Sequence, residues 1–168
     1  MAQSQDSNSL FDLGDLKQLA DLNIAIVYTE WNEDIVNEQL KGAEQVCFDT
    51  GAQIIAKIVV PGAVEIPFAC KALWQSYENK EAKPDALVAF GAVIRGGTPH
   101  FDYVCNMVTE GISQLNLTLP IPVIFGVLTL DTEAQAWERL GGSHGHKGME
   151  AAIAALKMAR LNKQLKSN

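Results

Sequence analysis

Leu87-Val88-Ala89-Phe90 is an unbroken apolar run. Successive residues of a strand point to opposite faces, so a strand built from this run must be covered on both sides. That demand excludes a sheet with one wet face and calls for a parallel sheet between two layers of helices. The rest of the chain keeps to the same plan. Ile24–Tyr28 and Ile54–Val60 read as two earlier strands, Pro84-Asp85 opens the third, and Pro122–Leu130 supplies a fourth. Helical spacing fills the gaps. Ile35, Leu40, Ala43 and Val46 share one face of a helix that ends near Gly51, and Ile66, Ala69, Cys70 and Leu73 share another that runs to about Tyr77. Val104, Val108 and Ile112 follow His100, and an alanine-rich helix covers Lys147 to Leu165. Ala136 and Leu140 are expected on a helix capped by Asp131 or Thr132 and broken by Gly141–Gly145.

The 168 residues suit one core, with residues 1–22 as an N-terminal arm and 23–168 as a single domain. A net charge of −7 argues against a nucleic-acid partner, which would want a basic face. No window reaches the length of a membrane span, and the polar N-terminus lacks the pattern of a signal peptide. Cys47, Cys70 and Cys105 are odd in number and sit among apolar neighbours, which reads as reduced core thiols in a cytoplasmic protein.

In parallel sheets of this kind ligands bind beyond the carboxyl ends of the strands. Here those ends are Thr29–Asn32, Pro61–Glu65, Ala92–His100 and Phe125–Asp131. The third is the richest in chemistry. Arg95-Gly96-Gly97-Thr98-Pro99 breaks the strand, and a helix starting after it presents N–H groups suited to a phosphate. His100 stands one step further on, where an imidazole could move protons on whatever the loop holds. His144 and His146, two apart in a glycine-rich loop, make poor zinc geometry, so no metal is expected.

Four motifs in order carry a resemblance to the lumazine synthase family: V-P-G-A-V-E-I-P at 60–67, G-A-V-I-R-G-G-T-P-H-F-D-Y at 91–103, P-V-I-F-G-V-L-T at 122–129 and W-E-R-L-G-G-S-H-G-H-K-G at 137–148. The resemblance spans about Ile24 to Leu165. It implies a flavodoxin-like three-layer αβα sandwich with a four-stranded parallel sheet. It also implies the condensation of 5-amino-6-(D-ribitylamino)uracil with 3,4-dihydroxy-2-butanone 4-phosphate, the penultimate step of riboflavin biosynthesis, with no cofactor. The family forms rings of five with active sites between neighbours, and in some members twelve rings close into a shell of sixty subunits. Association with riboflavin synthase comes with the same resemblance.

By position, His100 matches the family's proton carrier. Gly97, Thr98 and Arg139 match its phosphate holders, with Lys147 and Asn32 in supporting places. Trp31 stands where an aromatic ring stacks on the pyrimidine, and Glu65 where a carboxylate accepts from the ribityl hydroxyls. Ala63, Val64, Ala92, Val93 and Ile94 match the pocket lining, and Phe125 a ring that, with Arg139, the neighbouring subunit contributes. Val64 departs from the pattern, since an aromatic residue is common there.

Without the family each residue has a plainer reading. Arg139 would be a surface cation pairing with Glu138 or Glu133, Trp31 a packing residue, Glu65 a first-turn helix carboxylate, Lys147 a surface lysine, and Cys105 a core thiol rather than a nucleophile. A non-catalytic lumazine or flavin binder on the same scaffold is one competing function, and it has no need of His100; a flavodoxin-like phosphate-binding regulator is another, but it explains only the 95–100 loop. The uninterrupted Arg139–Gly148 segment matches shell-forming members, whereas Trp31 also occurs in members that stop at five; the shell is the assembly expected.

Overall fold

The structure, a computed structural model, describes residues 19–167, so most of the expected N-terminal arm lies outside the described residues. Four strands, β1 (Asn23–Thr29), β2 (Gln53–Val60), β3 (Ala86–Ile94) and β4 (Val123–Leu130), form a parallel sheet in the order β2-β1-β3-β4. Helices α1 (Glu33–Thr50), α2 (Ile66–Ser76), α3 (His100–Thr118), α4 (Ala134–Glu138) and α5 (Lys147–Ser167) connect and follow them. The result is the flavodoxin-like three-layer sandwich.

Strand position explains strand composition. β3 lies between β1 and β4 and is buried along Ala86–Ala92, as its apolar run requires. β2 is an edge strand, and most of its residues are exposed or half-buried. The two faces divide β1 residue by residue. Ile24 and Ile26 pack with Val36, Val46, Val88 and Leu156 in the layer of α1 and α5. Ala25 and Val27 pack with Ile66, Cys70, Leu87, Val108 and Ile112 in the layer of α2 and α3. Leu19 and Leu22, at the end of the expected arm, are buried in the first of these layers.

The alanines of α5 have a steric purpose. Ala151, Ala152, Ala155 and Ala159 are buried where α5 meets α1. The approach is so close that a Cβ at Gly148 would lie 2.3 Å from the carbonyl oxygen of Gln39. Gln39 is itself fully buried, and its Nε2 donates to Gly126 O of β4 at 2.6 Å.

The segment after β4 departs from the expected helix. Neither Asp131 nor Thr132 caps α4: Glu133 holds the N-cap position, and no side chain bonds to the free N–H groups there. The Asp131 carboxylate is instead drawn to Arg95 Nε at 2.9 Å. Leu140 is buried as expected, but on a short antiparallel hairpin of β5 (Leu140–Gly142) and β6 (Gly145–His146) rather than on a helix. Gly141 and Gly145 adopt φ of 108° and 74°, the left-handed region that ends the helix and lets the chain reverse.

Cys105 also departs from its expected core position. Cys47 and Cys70 are buried, whereas Cys105 is half-buried on α3.

Candidate active site

The chain runs β1, β2, then crosses to β3 on the other side of β1, so the winding direction reverses between β1 and β3. At such a point the two following connections diverge and open a crevice at the strands' carboxyl ends. Trp31-Asn32 leaves β1 there, and Ala92-Val93-Ile94 ends β3 beside it.

Asn32 holds the two ends together. It sits in the left-handed region, φ 59° and ψ 47°, at the start of α1. Its side-chain Nδ2 donates to Ala92 O at 2.7 Å. An asparagine tolerates this backbone state better than most residues, and it uses the resulting side-chain direction to bridge β1 to β3. Trp31, the preceding residue, projects outward and is 74% exposed, so among the described residues little covers this large apolar ring.

The connection after β2 supplies the next wall. Pro61-Gly62 leads into a 3-10 turn, Ala63–Glu65, in which Ala63 is buried, Val64 half-buried and Glu65 exposed. A Cβ on Gly62 would lie 3.2 Å from Glu65 Oε2 and 3.8 Å from Trp31 Cδ1, so the indole and the carboxylate flank this glycine. The turn also packs against α3. The Trp31 indole and the Glu65 carboxylate therefore stand side by side.

Beyond β3 the loop 95–99 is exposed, and Cβ atoms on Gly96 or Gly97 would meet nothing within 4 Å. These glycines are therefore not demanded by packing within the chain; they leave open backbone facing outward. His100 is the first residue of α3, exposed, with Pro99 at the N-cap and no capping side chain. The first-turn N–H groups of a helix lack helical acceptors, and the dipole adds positive potential there. One of them is occupied, since Asp102 N donates to Pro99 O at 3.0 Å.

The remaining expected residues lie elsewhere. Phe125 pairs with Ala89 in the middle of the β3–β4 ladder, five residues before the Leu130–Ile94 pair, which is roughly 17 Å along the strand. It is 40% exposed on an edge strand. With Thr129, Arg139, Lys147 and Glu150 it lines a groove of about 270 Å³ on the open side of β4. None of Trp31, Glu65 or His100 lines that groove. The expected residues thus fall into two half-sites on one chain, one at the carboxyl ends of β1–β3 and one on the flank of β4.

Arg139 pairs with neither neighbouring glutamate: Glu133 Oε1 accepts from Trp137 Nε1 at 3.4 Å, and Glu138 faces His144 at 3.9 Å. Arg139 is half-buried, with Nη1 donating to Gln135 O at 3.1 Å. Lys147, by contrast, is paired, its Nζ lying 2.8 and 2.7 Å from the two oxygens of Glu150. Glu150 was not singled out from the sequence, although its spacing of three from Lys147 on one helix signals the pair. Arg95, which breaks β3, also binds Asp131 and Asp102 together.

Burial pushes the Cys47 and Cys70 thiols up to about 12, so neither serves as a nucleophile near neutral pH. Cys105 is also raised, by burial first and by the Asp102 carboxylate second. Among the described residues no three His, Cys, Asp or Glu side chains gather as a metal site. Among the same residues no helix is long and apolar enough to cross a membrane.

Comparison with known proteins agrees on one family. A family model described as 6,7-dimethyl-8-ribityllumazine synthase matches residues 21–163. A protein of that name from Porphyromonas gingivalis is 45% identical, covering 97% of this chain and 99% of its own. Those from Christiangramia forsetii and Parabacteroides distasonis are 44% and 43% identical, covering 99% and 96% of this chain and 98% and 99% of theirs.

Proposed function

This chain belongs to the 6,7-dimethyl-8-ribityllumazine synthase family, and on that premise we propose that its active site is completed between two copies, each contributing one half-site. The enzyme is a transferase of riboflavin biosynthesis. It condenses 5-amino-6-(D-ribitylamino)uracil with 3,4-dihydroxy-2-butanone 4-phosphate, giving 6,7-dimethyl-8-(D-ribityl)lumazine, phosphate and water.

In our reading one copy supplies the pyrimidine platform and the proton carrier. The pyrimidine stacks on Trp31 against Ala63, Val64, Ala92, Val93 and Ile94, and Glu65 accepts hydrogen bonds from the ribityl hydroxyls. Asn32 keeps the β1 and β3 walls in register. The phosphate of the second substrate lies against the backbone of Gly97 and Thr98 at the start of α3. Imine formation, loss of phosphate and ring closure each move a proton, and His100 stands one residue from the helix cap to give and take it. The neighbouring copy brings Phe125 over the exposed face of the bound ring and Arg139 to the phosphate, with Lys147, held by Glu150, in a supporting place behind it.

The observation that carries this reading is the division itself. An exposed tryptophan and an exposed histidine stand at one end of the sheet, while a phenylalanine and a guanidinium with no carboxylate partner among the described residues stand on its flank. Heterologous contact of one end with the next copy's flank gives a ring when the rotation between copies closes, which is the arrangement we take for this chain. Members of the family are oligomeric. For this chain we take residues 23–168 as the catalytic unit and the ring of five as the minimal active form. Twelve rings closing into a shell, association with riboflavin synthase and a cytoplasmic location, which suits free buried thiols, belong to the same proposal.

Subunit mixing tests the division. His100→Ala and Arg139→Ala chains are each assayed alone by lumazine absorbance, then dissociated and reassembled together. Random pairing in a ring gives about a quarter of the interfaces an intact His100 on one side and an intact Arg139 on the other. Recovery of activity toward that fraction is expected. Mixed rings no more active than the average of the two parents would return both residues to one chain and refute the proposal.

A further inference from the structure

Arg95 is the first residue of the loop that carries Gly97, Thr98 and His100, and the function above gives it no role. Its own contacts are extensive. The backbone N–H donates to Leu130 O at the end of β4, 2.8 Å away. The side-chain Nε donates to Asp131 Oδ1 at 2.9 Å, and Nη2 to Asp102 Oδ1 at 3.3 Å. The guanidinium also lies over the ring of Phe101, 4.1 Å from its centroid. Phe101 and Asp102 are the two residues after His100, whereas Asp131 belongs to the connection after β4.

We propose that Arg95 is a positioning residue that fixes the first turn of α3, and through it the imidazole of His100, against the end of β4. The inference rests on His100 as the proton carrier.

Three observations carry it. The planar fork reaches two carboxylates on separate elements at once, which a single ammonium on a flexible stem does less well. Its fork is already engaged: one guanidinium faces two aspartates, so the side chain itself is held by carboxylates rather than left open to an anion. That separates Arg95 from the anion-binding role its place in the loop would suggest. Finally, the loop contains two glycines whose Cβ positions meet nothing, so packing within the chain does not hold it. An open loop of this kind needs an anchor if the residue after it is to keep a catalytic geometry, because displacements of about 1 Å can cost on the order of 100-fold in rate. At 44% exposure of Arg95 and 58% and 66% of its partners, each ion pair contributes little to global stability, so its effect is local.

The experiment is a double-mutant cycle on the assembled enzyme, with kcat and KM for both substrates measured for Arg95→Ala, His100→Ala and the double variant. Arg95→Ala should lower kcat by about tenfold or more in the wild-type background. In the His100→Ala background it should lower kcat by less than about twofold, because the residue acts through a group no longer there. Arg95→Lys should recover part of kcat, and Asp131→Asn should lower it in the same direction by a smaller factor, with ring assembly checked for each. Equal loss in both backgrounds, loss confined to KM for the phosphorylated substrate, or no loss at all would overturn the inference. A His100→Ala enzyme with the parent kcat would instead remove the proton-carrier reading on which it stands.

Discussion

The two half-sites are built by different means. The half-site at the carboxyl ends of β1 and β3 is made of short stretches that leave adjacent strands, and its geometry is tied by hydrogen bonds across strands, as from Asn32 to Ala92 O. The half-site on β4 is a strand edge faced by a hairpin and a helix, and its polar groups answer mainly to their own segment, Arg139 to Gln135 O and Lys147 to Glu150. The first offers an aromatic face, a carboxylate and an imidazole with no spare positive charge, since Arg95 is held by two aspartates. The second offers positive charge and a ring but no proton carrier. Neither is sufficient for a reaction that must both hold a phosphate and move protons, and that insufficiency argues for an intersubunit site.

Substitutions in the two halves should therefore fail differently. The largest effect is expected for His100→Ala, which removes general acid–base assistance and should slow turnover by about 10²–10⁴-fold with the assembly intact. Unchanged kcat at saturating substrate would leave the first half-site as a platform only. Arg139→Ala comes next and should act on binding. Loss of a charge-assisted contact, worth about 1.5–3 kcal/mol, corresponds to roughly ten- to 150-fold in KM for the phosphorylated substrate. A phosphate-free pyrimidine analogue should bind almost as before, and equal weakening of both ligands would make Arg139 structural.

A stability change should mark the first half-site alone. Asn32→Ala loses the bond to Ala92 O and places alanine at φ 59°, so unfolding should become easier by about 1–3 kcal/mol. Asn32→Gly relieves the backbone part but not the hydrogen bond, so it should fall between the two. Denaturant titration separates these cases, and an unchanged midpoint for both variants would show that the bridge contributes nothing. The smallest effect is chemical. Cys105 is the half-buried thiol beside Asp102 and Arg95, so iodoacetamide at mildly alkaline pH should modify it slowly in the native enzyme. Cys47 and Cys70, pushed up to about 12, should react only after unfolding; mass spectrometry of the native protein would show whether either reacts first.

Much of this arrangement is legible along the chain. The apolar run at 87–90 requires burial on both faces, and it lies in β3, an interior strand of the sheet. The loop from Arg95 to His100 is readable because strand, glycines and helix start are consecutive, and local backbone chemistry decides each of them. The segment after β4 was misread for the opposite reason. Asp131 and Thr132 look like caps, but the Asp131 carboxylate is engaged by Arg95, 36 residues away in sequence, and Glu133 takes the N-cap position instead. Cys105 was assigned to the core by its apolar neighbours, yet helical rotation leaves it at the margin of the layer.

By itself the sequence determined the strand and helix alternation, the family and the chemical identity of the side chains, because these depend on hydrophobic period and on consecutive motifs. The resemblance already implied that Phe125 and Arg139 serve a neighbouring copy; only the tertiary structure decided how far from His100 and Trp31 they stand on one chain. It likewise decided that Lys147 is engaged by Glu150 and that Arg95 braces two elements. Such facts follow from strand order and from which edge of the sheet is open, and residues far apart in the chain acquire them only when the sheet assembles.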